Sequence, residues 1–421
     1  MFKTENEVTN WIYSFRINKA NRNLSHLHRF LASIGNPHLK LKTIHVAGTN
    51  GKGSTVSYLC QALMEAGYKV ATFTSPFITC FGERMSINKH PMPETKLIHH
   101  ANRLKELLPT STSKYTSFDI ITLISFLYFS EENVDIAIYE TGIGGRLDST
   151  NVIMPLIAAI TNVGHDHADV LGETQLERAM EKLGIVKEGI PLVTTEADPD
   201  LISEFKKVCA EKETTLYLPL IHAKLLAIDE TGAIFSWGPY KKVQIGMHGR
   251  HQFKNALLAM FVLEYLYLYG KFKDVNPAAI SKARWQGRFE QVRIEPPVVL
   301  DGAHNIEGIE ALVDTVRLVY PHHKPIYVFS AIGTKDAKTM LEMLDADAYN
   351  VVTTAGTHPN SIDPEILANY TKEGWFEHEY KTVIRGEIEE MEADQVLIFC
   401  GSLYFIADVR KYLFGDGRFL L

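Results

Sequence analysis

The chain has few of the features that would place it in several common classes of protein. Only four cysteines occur in 421 residues, and no two of them form a C-x-x-C pair. This scarcity argues against a disulfide framework or a zinc cage and favours a reducing compartment. The longest apolar run, "IITLISFLYF" at 120–129, is about half the length that a membrane-spanning helix needs.

The charge balance excludes further partners. A formal net charge of -7 leaves no basic excess for binding nucleic acid or an anionic membrane. The first residues, "MFKTENEVTN", are polar and acidic, unlike a secretory signal. We therefore expect a cytoplasmic globular protein. A hydrophobic content of 46% provides enough apolar surface for the cores of two or three domains.

Strand-like and helix-like runs alternate along the first half of the chain. Helical patterns occur at 54–66 and 118–129, and the strand-like runs are "TIHVAG", "KVATFTS", "VDIAIYE" and "LIAAITNV". This alternation predicts βαβ units and a mainly parallel sheet. Between 192 and 247 the short runs "TLYLPL", "AKLLAID" and "GAIFSWG" predict a small antiparallel addition. A helix, "NALLAMFVLEYLYLYG", follows and is expected to end at Gly270.

A second α/β domain is predicted near the C-terminus. The pair Pro296-Pro297 fits neither a helix interior nor a central strand, so we place a boundary just before it. Strand and helix patterns alternate again after the pair. The predicted domains are 1–294, with a P-loop-type fold, and 295–421, a smaller Rossmann-like α/β domain.

The stretch "TIHVAGTNGKGSTVSYL" is typical of a phosphate-binding loop between a strand and a helix. It departs from G-x-x-x-x-G-K-[ST], because Val46 replaces the first glycine and Gly53 follows Lys52. Glycines allow the backbone to approach a ligand, and the N-terminus of the helix favours an anion. Lys52 supplies a positive charge, and a hydroxyl of Ser54 or Thr55 can support Mg²⁺. The alternative is a glycine-rich turn with a solvated lysine.

The extra glycine makes this loop resemble the nucleotide loop of the Mur ligase superfamily. The form "GTNGKGST" resembles its folylpolyglutamate synthase and dihydrofolate synthase branch. Further motifs resemble those of the branch and follow in the same order across nearly the whole chain. They are "TSPFITCFGERMSIN", "ETGIGGRLDSTN", "GHDHADVLG", "EKLGIVKEGIP", "HQFKNALLA", "GRFE", "LDGAHN" and "GSLY".

The resemblance implies two Mg²⁺ sites. It assigns Ser75 and Glu140 to the first ion and His167 to the second. Lys182 is implied to be carbamylated, which would turn its cationic amine into an anionic oxygen ligand. Glu140 ends a predicted parallel strand, a position that itself favours a metal ligand, and the alternative is a capping or turn carboxylate. For the other two residues the sequence alone favours different interpretations. His167 would be a surface imidazole of a type that Mg²⁺ rarely uses, and Lys182 a solvated lysine.

The resemblance also implies the contacts with ATP and with the acid substrate. Lys52, Lys182 and His304 are the implied catalytic residues. The implied nucleotide contacts are Gly51, Lys52, Gly53, Ser54, Thr55, Asn255 at adenine, Arg288 at phosphate and Asp301 at ribose. Taken alone, Asp301 reads as a helix cap. The implied substrate contacts are Thr116, Ser117, Phe118, Asp119, Leu147, Asp148 and Ser149 for the pterin, with Lys335 and Ser402 for L-glutamate.

The activity implied is ATP-dependent ligation of L-glutamate to a reduced folate through an acyl phosphate, by a monomer. We expect dihydropteroate to be a second acceptor, with Asp148 anchoring the dihydropterin in a separate pocket. Phe77 and Asp119 depart from the residues usual in the branch. Two alternatives remain: a Mur-type ligase acting on a cell-wall precursor, and a nucleotide-dependent switch without ligase activity.

Overall fold

The computed structural model describes residues 1–15, 23–109, 114–165, 168–229, 231–273, 275–333 and 336–415. Contacts within the chain divide it into two compact units. The first comprises Met1–Ala223 with Lys254–Ile280, and the second comprises Lys224–Phe253 with Ser281–Leu421. The predicted domain ranges 1–294 and 295–421 stay a prediction.

The first unit is built around a seven-stranded sheet. Its strands are β1 (Thr43–Ala47), β2 (Val70–Phe73), β3 (Met85–Ile87), β4 (Ile136–Glu140), β5 (Ile157–Ile160), β6 (Leu192–Thr194) and β7 (Leu216–Tyr217). Their spatial order is β3-β2-β4-β1-β5-β6-β7, and every neighbouring pair is parallel except β2 and β3. Every residue of β1, β2, β4 and β5 is buried, as is usual in parallel sheets. The predicted parallel sheet is confirmed.

One predicted strand belongs to a different sheet from the one expected. The run "TLYLPL" contributes β7, which pairs in parallel with β6 and not with the antiparallel strands that follow it. A helix, Pro199–Glu211, connects β6 to β7. Because a helical crossover returns the chain in the same direction, the strand that follows it joins the sheet in parallel.

Helices connect the strands of the first unit. They are α1 (Glu5–Tyr13), α2 (Ser25–Ser33), α3 (Lys52–Glu65), α4 (Glu94–Leu107), α5 (Ser117–Glu131), α6 (Ala168–Leu171), α7 (Gln175–Leu183) and α8 (Pro199–Glu211), followed by α9 (Arg250–Leu268). Short 3-10 helices occupy Pro37–Lys40, Phe81–Arg84, Ser149–Val152, Pro219–His222 and Pro277–Lys282. Gly270 follows α9 in the left-handed region, at φ 65°, as expected for a helix stop. Within the described ranges, no helix is long and apolar enough to cross a membrane.

The second unit contains two sheets. Strands β8 (Ala223–Asp229), β9 (Gly232–Trp237) and β10 (Tyr240–Ile245) form the predicted small sheet, in which β9 and β10 are antiparallel. The larger sheet has β11 (Glu290–Arg293), β12 (Val298–Leu300), β13 (Lys324–Phe329), β14 (Asn350–Ala355), β15 (Trp375–Glu379) and β16 (Gln395–Cys400). Its order is β11-β12-β16-β13-β14-β15, and β11 is its one antiparallel strand among the described residues.

Helices of the second unit follow its strands as in a Rossmann-like domain. They are α10 (Ile306–Val319), α11 (Ala337–Asp347), α12 (Pro364–Ala368), α13 (Tyr380–Glu390) and α14 (Leu403–Gly415). Asn305 caps α10 by accepting a hydrogen bond from Gly308 N–H at 2.8 Å. The predicted smaller α/β domain is therefore confirmed as a fold.

Helix α5 supplies a large part of the core of the first unit, and this gives a stability prediction. Leu123 on α5 is 1% exposed, whereas Leu268 at the end of α9 is 67% exposed. We expect Leu123→Ala to lower the free energy of unfolding of the first unit by about 2–5 kcal/mol, because it leaves a cavity. Leu268→Ala, the matched control, should change it by less than about 1 kcal/mol. Chemical denaturation followed by circular dichroism measures both, and equal effects would contradict the described packing.

Candidate functional site

The loop after β1 has the backbone geometry of an anion-binding turn. Gly51 is the residue before α3, in the left-handed region at φ 84°, and Gly48 has φ 149°. A Cβ at Gly48 would collide with the Thr161 hydroxyl, and one at Gly51 with the Asn255 amide. Both positions therefore require glycine. Helix α3 begins at Lys52, two residues earlier than predicted, so its N-terminal N–H groups lie within the loop itself.

Two residues that the sequence analysis did not single out hold this loop. Asn162 accepts hydrogen bonds from Thr49 N–H at its carbonyl, 3.0 Å, and from Asn50 N–H at its side chain, 2.9 Å. The Thr161 hydroxyl donates to the Asn50 carbonyl at 2.6 Å. Both residues follow β5, the parallel neighbour of β1. Both residues directly follow a predicted buried strand. This position in the sequence could have identified them, because the ends of neighbouring parallel strands lie close together.

Lys52 lies over the loop that it belongs to. Its Nζ donates to the carbonyls of Gly48 and Thr49, each at 3.0 Å. The side chain is only partly buried, so the amine can reorient toward a ligand.

The other predicted nucleotide contacts of the first unit gather around Gly51. Ser54 and Thr55 are buried in the first turn of α3, and the Thr55 hydroxyl donates to the Gly51 carbonyl at 3.0 Å. Gly53 is half-buried in the same turn. Asn255 on α9 is buried with its amide against Gly51. The structure therefore brings together the residues predicted at the phosphates and at the adenine.

A buried carboxylate lies beside the loop. Glu140 ends β4 in register with Val46 of β1, and it is 5% exposed. Its Oε2 accepts a hydrogen bond from Ser75 N–H at 3.3 Å. The two predicted oxygen ligands Ser75 and Glu140 are therefore adjacent. Hard oxygen donors of this kind fit Mg²⁺.

The remaining predicted metal region is described only in part. His167 lies outside the described residues. Lys182 on α7 is 2% exposed, against the ordinary expectation of a solvated helix lysine. Arg178 on the same helix is also buried, and its guanidinium donates to the carbonyls of Gly164 and Gly172, at 2.9 and 3.1 Å. The sequence analysis did not single out Arg178 or these two bonds.

The two predicted pterin segments meet in the first unit. Thr116 and Asp119 form a capping box at the start of α5, and Asp119 Oδ1 accepts from the Ser149 hydroxyl at 2.5 Å. His26, another missed residue, bonds Asp119 Oδ2 through Nε2 at 3.2 Å. Burial opposes ionisation of Asp119, but the bonds from His26, Ser149 and Thr116 N–H outweigh it and hold the pKa of the carboxyl below its usual value.

The other predicted pterin residues line the same region. The Phe118 ring lies against Gly142 and packs on Phe73, with ring centroids 5.7 Å apart. Ser117 donates through its hydroxyl to the Phe15 carbonyl at 2.8 Å, and Leu147 is half-buried.

Asp148 is engaged by its own loop. Its Oδ2 accepts from the N–H groups of Gly142 and Ile143, at 2.9 and 3.1 Å, and its Oδ1 accepts from Thr150 N–H and hydroxyl, at 3.0 and 2.5 Å. Burial nevertheless raises the pKa of Asp148 above its usual value. The carboxylate therefore shapes the glycine-rich turn after β4.

His45 extends this network into β1. Its Nε2 lies 2.8 Å from the Thr150 hydroxyl oxygen. Because that hydroxyl donates to Asp148, it must accept from His45, so the imidazole carries its proton on Nε2. Burial lowers the pKa of His45 to about 3, which keeps the ring neutral.

The predicted residues of the second unit gather at the carboxyl ends of β12 and β16. Asp301 accepts from the N–H groups of Phe289 and Ala303, at 2.7 and 2.8 Å. Burial raises the pKa of Asp301, although the neighbouring Arg288 guanidinium opposes this. His304 is held through Nδ1 by the Gly302 carbonyl at 2.7 Å.

The other residues predicted in the second unit complete this region in part. The Arg288 guanidinium lies against Gly302, in the same loop as Asp301. Ser402 is buried just after β16, the strand beside β12. Lys335 lies outside the described residues. Arg288, Asp301, His304 and Ser402 are therefore neighbours in the fold.

Comparison with known proteins defines the class of this architecture. The Mur ligase middle domain matches residues 46–263, and the Mur ligase glutamate ligase domain matches residues 287–403. The chain belongs to the Mur ligase family. Within it, the chain belongs to the group of the dihydrofolate synthases and folylpolyglutamate synthases, as the relatives show.

Three relatives document this membership. The dihydrofolate synthase/folylpolyglutamate synthase of Bacillus subtilis is 36% identical, over 98% of this chain and 100% of its own. The folylpolyglutamate synthase of Lacticaseibacillus casei is 31% identical, over 91% and 93%. The solved FPGS–AMPPCP–folate complex has a TM-score of 0.85 at 26% identity, over 97% of this chain and 99% of its own.

The Asp148 network gives a prediction about stability. In Asp148→Asn one acceptor oxygen becomes an NH₂ group that must face an N–H or hydroxyl donor. We expect the free energy of unfolding to fall by about 1–3 kcal/mol, because buried donors lose their acceptor. The control is Asp229→Asn, a half-buried aspartate that accepts the same pair of bonds from Thr231, at 2.8 and 2.6 Å. Urea denaturation measures both, and an equal small loss in the two variants would contradict the proposed network.

Proposed function

We propose that this chain is an ATP-dependent amide ligase that joins L-glutamate to a reduced folate and also converts dihydropteroate and L-glutamate to dihydrofolate. The observation that carries the proposal is the nucleotide loop after β1 beside the buried Glu140 carboxylate, which is in register with Val46. The alignment with the Bacillus subtilis dihydrofolate synthase/folylpolyglutamate synthase along the whole chain supports the choice of substrates.

The proposed chemistry proceeds in two steps. The substrate carboxylate attacks the γ-phosphorus of ATP, which forms an acyl phosphate and releases ADP. The amine of L-glutamate then attacks the acyl carbon, and the tetrahedral intermediate expels phosphate and loses a proton to give the amide. No protein nucleophile is required, so the chain contributes positioning and charge stabilisation.

The first unit carries the residues for the first step. The Lys52 amine, held over the carbonyls of Gly48 and Thr49, would exchange these acceptors for phosphate oxygens. The N-terminus of α3 would add the favourable end of its dipole. Gly51, Gly53, Ser54 and Thr55 form the turn around the phosphates, and Asn255 would contact the adenine.

Mg²⁺ is the metal that the donor set fits. Ser75 and Glu140 would hold one ion through hard oxygen atoms, and His167 is the proposed ligand of a second. When bound, the metal neutralises charge on the transferring phosphoryl group. Glu140 would fix the position of the first ion, because its carboxylate is buried and accepts a hydrogen bond from Ser75 N–H.

The second unit carries the remaining proposed contacts. Arg288 would bind phosphate, Asp301 the ribose, and His304 would act near the acceptor amine. Ser402 and Lys335 would bind the carboxylates of L-glutamate. The adjacency of Arg288, Asp301 and His304 around Gly302 supports the grouping.

The pterin is proposed to bind at the start of α5 and the turn after β4. Dihydropteroate reacts through its benzoate carboxylate, whereas a folate reacts through the carboxylate of its glutamate, several bonds further on. Since reacting atoms must approach to about 3–3.5 Å, one fixed pterin position cannot serve both acceptors. We propose two pterin positions near Phe118 and Ser149. Asp148, whose oxygens also accept bonds from its own loop, is the proposed anchor of the dihydropterin in one of these positions.

The setting of the enzyme completes the proposal. We propose that it acts as a monomer in the cytoplasm, where its nucleotide and folate substrates are made. Nucleic acid and membranes are not proposed partners.

The decisive experiment is phosphate release from ATP with L-glutamate and either dihydropteroate or tetrahydrofolate. We expect glutamate-dependent release with both acceptors. Lys52→Ala should lower it at least about 100-fold, because an amine directed at the phosphates is lost in a site built on electrostatic stabilisation. Lys207→Ala, with a side chain 62% exposed and paired to Glu204, is the control and should match the unmodified enzyme.

Each outcome of this assay bears on a different part of the proposal. Release with tetrahydrofolate alone would reject dihydropteroate as an acceptor. Release of phosphate without L-glutamate would favour the alternative of a nucleotide-dependent switch without ligase activity. Full activity in a folded Lys52→Ala variant would remove the loop from the mechanism.

We propose that Lys182, which is 2% exposed on α7, carries the carbamate that the EKLGI motif implies. Lys182→Ala should lose activity and regain part of it with added short carboxylates, which can occupy the vacated position. With ¹³C-bicarbonate, the unmodified enzyme and Lys207→Ala should show a carbamate carbonyl resonance that Lys182→Ala lacks. The same spectrum in all three proteins, without the resonance, would reject the carbamate.

A further inference from the structure

Two histidines and a glutamate meet between α4 and the C-terminal end of α5. His99 and His100 lie on α4, and Glu131 is the last residue of α5. The Nε2 atoms of His99 and His100 lie 3.9 and 4.0 Å from Oε1 of Glu131. One ligand atom from each residue falls within 4.8 Å of the other two. Their donors therefore converge on one point between the two helices.

His100 is the unusual member of this cluster. Its side chain is fully buried, and neither ring nitrogen has a hydrogen-bond partner among the described residues. Burying a polar group without a partner is unfavourable. One of these nitrogens, Nε2, faces the Glu131 carboxylate at 4.0 Å, beyond hydrogen-bond distance. A buried imidazole in this position can donate the lone pair of Nε2 to a metal ion that lies between the ring and the carboxylate.

The two carboxylate oxygens of Glu131 have different neighbours. Oε2 accepts from the Arg103 guanidinium at 3.1 Å, which leaves Oε1 toward the histidines. A partner on the second oxygen is how carboxylate ligands of metals are commonly oriented. Arg103 also adds a positive charge near the point of convergence. Lys96, the other nearby cation, is paired with Glu132 at 2.8 Å.

We propose that His99, His100 and Glu131 form a Zn²⁺ site that clamps α4 to the end of α5. Two imidazoles and one carboxylate are a ligand set that Zn²⁺ uses, with a solvent molecule in the fourth position. Zinc bonds of about 2.0–2.2 Å require the three donor atoms to draw together by roughly 0.5–1.4 Å. The side chains of His99 and Glu131 are 57% and 39% exposed, so they have room to move.

The cluster lies at the opposite end of α5 from the proposed pterin contact Ser117. Glu131 lies 14 residues beyond Ser117 on the same helix, which is about 21 Å along the axis. Zn²⁺ binding should therefore stabilise the first unit through mass action, without entering the ligase reaction.

The test uses the untagged chain with Zn²⁺ alone, in the presence of excess Mg²⁺. Isothermal titration should give one saturable Zn²⁺ site per chain, and Co²⁺ in its place should show the visible absorption of a four-coordinate ion. His99→Gln and Glu131→Gln should each weaken binding at least about tenfold, since each removes one of three ligands. The controls are His90→Gln and Glu106→Gln, both exposed and close in the chain, which should bind as the unmodified protein does.

Both ligand variants change exposed side chains, so they should fold, and thermal unfolding without metal verifies this. The unmodified protein should gain thermal stability with Zn²⁺, and the two ligand variants should gain much less. Equal affinity in His99→Gln and His90→Gln would overturn the proposal. So would the lack of a one-to-one site, or a Co²⁺ spectrum of an octahedral ion.

Discussion

The hydrogen bonds between the turn after β1 and the residues after β5 are the constraint on which the first unit depends. Thr161 and Asn162 fix the backbone of Thr49 and Asn50 before any ligand arrives. A loop that is ordered by folding loses less entropy on binding, so more of its interaction energy appears as affinity. Since β1 and β5 are parallel neighbours, the rigidity of the sheet passes directly to the loop.

A second network organises the opposite side of β1. Asp148 collects donors from the turn after β4 and, through Thr150, is joined to His45 inside β1 itself. The segments that follow β4 and β5 are therefore both hydrogen-bonded to β1 or to the turn after it. Each carboxylate oxygen of Asp148 accepts two hydrogen bonds, so a displacement of the turn would leave buried donors without their acceptor.

The elements of this fold could be predicted largely from periodicity, since the buried strands and the long helices carry strong patterns. The strand β7 was assigned to the wrong sheet because a short apolar run does not reveal its partner. Burial of Lys182 could not be predicted from composition, because lysine is solvated in most helices. The roles of Asn162, Arg178 and His26 depend on contacts between distant segments, which no local pattern encodes.

The same holds for the orientation of side chains within recognised motifs. The resemblance assigned Leu147–Ser149 and Thr116–Asp119 to one set of contacts, and the Ser149–Asp119 bond shows that these segments lie together. It did not indicate that Asp148 turns its carboxylate back toward Gly142. A motif identifies which residues gather, whereas the direction of each carboxylate is set by the donors that the fold supplies.

The carboxylate of Asp119 connects three segments that are far apart in the chain: α2 through His26, the start of α5, and the turn that holds Ser149. Residues that share one acceptor do not contribute additively. A substitution at any of the three would change the cost of substitutions at the other two. During divergence these positions should therefore be replaced together, because a change at one of them alone would be removed by selection.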